Sequence, residues 1–222
     1  NVWIAQRQGR AKNSNDLTQA AILKMMAMGG DGSIVERLKQ LHIVPLTISY
    51  EYDPCDYLKA REYQLRRDVP FWKKTAEDDM ESMLVGIKGY KGHIFYKCAS
   101  CIDEWLDTVD GEQPKNKLFD EIATHIDHEI HCNYRLYPVN YVALDMIQDT
   151  RVYEEYYTPE DYQDFENYLE GQIEKIDIEN RDDKFLRNCL LTQYAYPAKN
   201  YIAASSENGR FKSLLNRLTF KK

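Results

Sequence analysis

Residues 42–50 read His-Ile-Val-Pro-Leu-Thr-Ile-Ser-Tyr, and the run ends at Glu51-Tyr52-Asp53-Pro54. Branched and aromatic side chains suit a pleated, half-buried surface and Asp-Pro stops it, so a strand is expected here. Working back, Ile34 to Gln40 reads as a helix with Ile34, Val35, Leu38 and Leu41 as its apolar positions. Before it, LTQAAILKMMAM (17–28) is rich in helix formers. Ser14-Asn15-Asp16 offers caps and Gly29-Gly30 a stop. Further back still, Val2 to Ala5 reads as a short buried strand that runs into Gln8-Gly9-Arg10-Ala11-Lys12. Strand, helix and strand in that order predict a β-α-β unit with parallel neighbours.

Working forward, Tyr57 to Arg67 and Asp78 to Ile87 read as helices separated by Pro70, and Gly92 to Cys98 as a third strand. From Lys117 the chain becomes helical: Leu118 to Asn133, the run after Pro138, and a helix opened by Thr158-Pro159-Glu160-Asp161. In that last helix Thr158 caps, Pro159 takes the first turn and the acids favour the positive helix end. Its apolar face is Phe165, Leu169, Ile173 and Ile176. A final helix, Asn208 to Lys222, sets Phe211, Leu214, Leu215 and Leu218 among cations. The expected organisation is an α/β part over residues 1–115, a mixed sheet flanked by helices, and an all-helical extension over 116–222. The boundary falls at Gly-Glu-Gln-Pro-Lys-Asn-Lys (111–117).

With 222 residues, 43% of them hydrophobic and 29% charged, the chain can build a substantial core and is not of disordered composition. No apolar run is long enough to span a bilayer, so membrane contact is expected to be peripheral. The five cysteines are an odd number scattered through an ordinary-sized chain; this argues for a reducing cytoplasm over a disulfide framework. The net charge of −7 is uneven: residues 1–50 carry six Lys/Arg against three Asp/Glu, and residues 151–180 two against ten. The acidic, tyrosine-rich stretch would repel nucleic acid, which is therefore not an expected partner.

The opening turn has the chemistry of an anion site. Gly9 lets backbone come close to a ligand, Arg10 offers a planar fork for phosphate oxygens, and the helix that follows points its positive end the same way. The ordered pair, Gln8-Gly9-Arg10-x-Lys12 after a strand and then Ile43-Val44-Pro45-Leu46-Thr47-Ile48, resembles the third and fourth sequence blocks of the glycerol-3-phosphate and lysophosphatidic acid acyltransferase family. Glu51 to Glu62 is similar to the segment after the fourth block, so the resemblance covers about the first hundred residues. It implies an acyltransferase-like sheet, truncated at its amino end. It also implies transfer of a fatty acyl group from a thioester (acyl-CoA or acyl-carrier protein) to a hydroxyl of a glycerol-phosphate-like acceptor at the cytoplasmic membrane face. The substrate-binding residues it implies are Arg7, Gln8, Gly9, Arg10 and Lys12, with no cofactor and no metal. Gln8 stands where the family usually has Glu, keeping the hydrogen-bonding shape without the charge, and Arg10 follows the glycine directly instead of one residue later.

The family's first block, His-x-x-x-x-Asp, supplies the general base on the acceptor hydroxyl. Five residues after each histidine here stand Thr47, Cys98, Ile130, Asn133 and Leu136, none of them Asp. No catalytic residue is therefore assigned in this chain; the first block is expected upstream of Asn1, in a longer protein of which this chain is a fragment. The alternative is a non-catalytic lipid- or protein-binding module of the same fold. Two further features have weaker readings. His125, His128 and His131 with Cys98-x-x-Cys101 match no zinc spacing and are expected as a helix face touching the core. The cations and aromatics of Tyr57 to Lys74, with the C-terminal helix, suit an anionic membrane surface.

Overall fold

The structure, a computed structural model, describes residues 2–7, 9 and 11–207. Among them are nine α-helices and one two-stranded sheet, so the fold is mixed α/β and mostly helical. Of the strand expected over 42–50 the last five residues form β1 (Leu46–Tyr50), and of that expected over 92–98 the last five form β2 (Ile94–Cys98). They pair antiparallel, Leu46 opposite Cys98 and Tyr50 opposite Ile94. Backbone bonds extend the pairing at both ends, from Glu51 and Tyr52 to His93 and Lys91, and from Ala99 and Ile102 to Pro45 and Ile43.

This corrects the expected parallel β-α-β unit. Val2 to Ala5 is not a strand, and Val2, Trp3 and Ile4 are exposed. A run of apolar residues becomes a strand only where another strand satisfies its backbone, and β1 finds that partner downstream in β2. Just after this segment Gln6 O accepts from Gln19 N at 2.8 Å. The sheet is also inverted relative to its composition. Thr47 and Ser49 face inward: Thr47 Oγ1 donates to Ile130 O at 2.9 Å and Ser49 Oγ accepts from Arg135 N at 3.0 Å. Ile48 and Tyr50, with Ile94 and Tyr96 across the ladder, face out and are exposed.

The first helix, α1 (Ala20–Met26), begins three residues later than the helix-forming run because Thr18 is held by Asp127, whose Oδ1 accepts from its N and Oγ1 at 2.8 and 2.6 Å. α2 (Ile34–Lys39) has a capping box from Ser33 and Glu36. Between the strands lie α3 (Asp56–Asp68) and α4 (Ala76–Lys88), the latter boxed by Thr75 and Asp78. A short α5 (Asp103–Leu106) leads to α6 (Lys115–Cys132), α7 (Pro138–Gln148) and α8 (Pro159–Glu174). α8 has the expected start: Thr158 Oγ1 accepts from Asp161 N, and Pro159 occupies the first turn. α9 (Asp183–Glu207) was not expected, and the predicted helix over 208–222 lies outside the described residues.

Two apolar clusters hold the molecule together. One gathers α7, α8 and α9 with Ala60 of α3; the other gathers Leu23, Leu38, Ile102 and Leu106 around Leu118, Ile122, Ile126 and Ile130 of α6. Each draws side chains from both sides of residue 115. Asp145 on α7, fully buried, accepts from Thr150 Oγ1, Val152 N, Tyr153 N and Tyr157 Oη, which closes the turn into α8.

Candidate functional site

One face of α3 carries Lys59, Glu62 and Arg66, three and four residues apart, the spacing that stacks side chains along one stripe of a helix. The stripe faces a cleft of about 360 Å³ that is closed on one side by Gly9 and Lys12 of the amino-terminal segment and on the other by Lys74, Asp79 and Ser82 around the start of α4. Four cations and two carboxylates thus line one open cavity, an excess of positive charge around a space of small-ligand size.

The charges are preset by each other. Glu62, with a side chain 9% exposed, receives Lys12 in an ion pair and Arg66 through Nε and Nη2 at 2.9 and 2.8 Å. Arg66 also lies over the Trp72 ring, 5.8 Å from its centroid. Lys74 bonds Asp79 at 2.7 Å and Ser82 Oγ at 3.1 Å, and Lys59 pairs with Asp53. Asp53 in turn accepts from Cys55 N, which fixes the start of α3. Gly9 has φ +72°, a left-handed conformation that costs a side-chain-bearing residue energy, and a Cβ placed there would meet no atom of the other described residues within 4 Å. The glycine is needed for the turn itself.

Of the residues the opening turn singled out, Gly9 and Lys12 reach the cleft. Arg7 does not line it. Its guanidinium turns to Asp16 at 3.7 Å, and its buried Nε has no hydrogen-bond partner among the described residues. Gln8 and Arg10 lie outside the described residues. The i, i+3, i+7 stripe of α3 was the signal for Lys59, Glu62 and Arg66; nothing local marks Lys74, which is brought in by the turn between α3 and α4.

About a quarter of a turn round α3 from this stripe stands a second carboxylate with different surroundings. Asp56, fully buried, accepts from Tyr168 Oη at 2.7 Å, Tyr194 Oη at 2.6 Å, Gln172 Nε2 at 2.9 Å and Tyr57 N at 2.6 Å. Burial pushes its carboxyl up to about 6, and the tyrosine hydrogen bonds only partly offset this. All its side-chain partners are neutral, and they tie α3 to α8 and α9.

The histidine run on α6 is a helix face against the body. His125 stacks on Trp105 with centroids 3.8 Å apart, His128 lies 3.6 Å from Cys132 Sγ, and His131 is buried against Tyr134. Burial lowers the His125 and His131 imidazoles, so the neutral rings are favoured. No helix among the described residues is long and apolar enough to cross a membrane. Compared with protein-family models, curated proteins and solved structures, the chain finds no match in any of the three.

Proposed function

We propose that the cleft binds the phosphate of a glycerol-phosphate-like acceptor, and that the chain is the phosphate-holding part of an acyltransferase that works at the cytoplasmic face of a membrane with acyl-CoA or acyl-carrier protein as donor. The observation that carries this reading is the convergence of Gly9 and Lys12 with Lys59, Arg66 and Lys74 on one open cavity. Lys12 and Arg66 would exchange part of their contact with Glu62 for phosphate oxygens, Arg66 through its planar fork. The acceptor hydroxyl would attack the thioester carbonyl carbon: a C–O bond forms, the C–S bond breaks, and the hydroxyl proton passes through a general base to the leaving thiolate. The cleft residues named here bind and orient; none of them is an imidazole.

That missing imidazole favours a second reading, a binding module that holds the same ligand without turning it over. Membrane contact would come from α4, where Met80, Met83, Leu84 and Ile87 recur at helical spacing and are exposed, with Phe71 98% exposed nearby. Titration calorimetry with glycerol 3-phosphate, alongside an acyl-transfer assay, separates the readings. Binding that inorganic phosphate competes away and that Lys12→Ala and Lys74→Ala both weaken supports the cleft. Binding with turnover supports the enzyme and binding without it the module. Absence of binding at low salt overturns both.

A further inference from the structure

At the end of the β1–β2 ladder remote from Glu51, Ala99 N bonds Pro45 O at 2.9 Å and Ile102 N bonds Ile43 O at 3.0 Å. These two bonds bring the loop after α2 against the loop before α5. The first presents His42, in a left-handed conformation (φ 48°) with an exposed side chain; the second presents Cys101, and Asp103 opens α5 directly after it. Beneath them Leu38, Ile102 and Leu106 are fully or almost fully buried in the α6 cluster, so both loops stand on packed side chains. His42 Nδ1 lies 2.6 Å from Asp103 Oδ2, while Asp103 Oδ1 is buried with no hydrogen-bond partner among the described residues. One donor atom each from His42, Cys101 and Asp103 falls within 4.8 Å of the others.

We propose that His42, Cys101 and Asp103 form a zinc site with an open fourth position. Imidazole nitrogen, thiolate sulfur and carboxylate oxygen together suit a borderline-soft cation and not magnesium or calcium, which take oxygen donors. Tetrahedral bonds of about 2.0–2.3 Å set such donors roughly 3.3–3.6 Å apart, so binding needs a shift of about an ångström. His42 can supply that shift from solvent, and the metal takes the place of the proton now shared between His42 and Asp103. The metal would staple the two loops and leave its outward position to water or a ligand. These residues are separate from the cleft lining, so the site stands or falls independently of the acceptor reading.

The test uses the whole chain, freed of metal with a chelator and titrated with cobalt(II). One equivalent is expected to produce tetrahedral d–d absorption and a thiolate-to-cobalt charge-transfer band, which zinc then displaces. Cys101→Ser should lose the charge-transfer band, His42→Ala should weaken binding, and Cys98→Ser should change neither. Zinc should raise the thermal midpoint of the native chain and leave that of Cys101→Ser unmoved, because only a ligand of the folded state stabilises it. Circular dichroism verifies that each variant is folded. A folded native chain with no band at stoichiometric cobalt overturns the proposal. A band that survives Cys101→Ser, or that Cys98→Ser removes, also overturns it by moving the metal elsewhere.

Discussion

Asp56 and Glu62 stand six residues apart on α3, and both side chains are almost wholly removed from water. The first meets tyrosine hydroxyls and a glutamine amide; the second meets Lys12 and Arg66 at the edge of an open cleft. A buried charge among neutral donors joins elements together at an electrostatic cost. A charge that holds two cations beside a cavity stores positive potential that an incoming anion can use. The difference in partners separates the face of α3 that holds the fold from the face that meets a ligand.

The largest effect that sharpens this contrast is expected from Asp56→Ala. Two tyrosine hydroxyls and one amide would lose their acceptor in the interior, a cost of about 3–5 kcal/mol by urea unfolding. A loss below about 1 kcal/mol would break the comparison, since the interior face would then carry no more weight than a surface position. The pH dependence has a definite sign. Asp56 titrates near 6 when folded and near 3.8 in the unfolded chain, so the folded state takes up the proton first. Its contribution is complete below about pH 4 and is lost as pH rises through about 6, at up to about 1.4 kcal/mol per unit. Asp78, held low by the backbone hydrogen bond from Thr75, acts in the other direction, as does Asp182 through the Phe185 backbone. The measurement is therefore the native chain minus Asp56→Asn across pH 4–6, and equal slopes would refute the assignment.

Glu62→Gln probes the cleft face. Relieving Lys12 and Arg66 of their shared carboxylate should tighten glycerol 3-phosphate binding by roughly tenfold, about 1.4 kcal/mol, and calorimetry at fixed salt reads it. Weaker binding would mean that Glu62 positions the cations more than it occupies them. The smallest effect belongs to the third face of α3, where Arg61 reaches Asp78 at 3.1 Å and Glu81 at 3.4 Å near solvent. Arg61→Ala should cost about 0.2–1 kcal/mol and leave phosphate binding unchanged; a drop in affinity would extend the ligand face beyond the stripe of Lys59, Glu62 and Arg66.

How much of this was legible depends on the distance over which each feature is set. The caps of α8 at Thr158 and of α2 at Ser33 rest on groups three residues apart, and β1 and β2 on their own branched and aromatic runs. Such caps are readable wherever they occur, whereas a strand-prone run is not by itself a strand. The spacing of Lys59, Glu62 and Arg66 lies in the sequence, but their stretch was read as a membrane-facing surface, and nothing local told which side of the helix faces the cleft. The opening turn supplied Gly9 and Lys12, while its flanking strand did not form, because strand character needs a partner and composition does not name one.

The amino-acid order by itself determined the caps, prolines and glycines that act within a turn or two, as at the starts of α2, α4 and α8. Only the tertiary structure decided that β1 pairs with β2 across α3 and α4, that Tyr168 and Tyr194 meet Asp56 over 112 and 138 residues, and that His42 meets Asp103 over 61. The physical reason is that such contacts are selected by the burial of the two apolar clusters against the entropy of closing long loops, a balance struck over the whole chain that no short window contains.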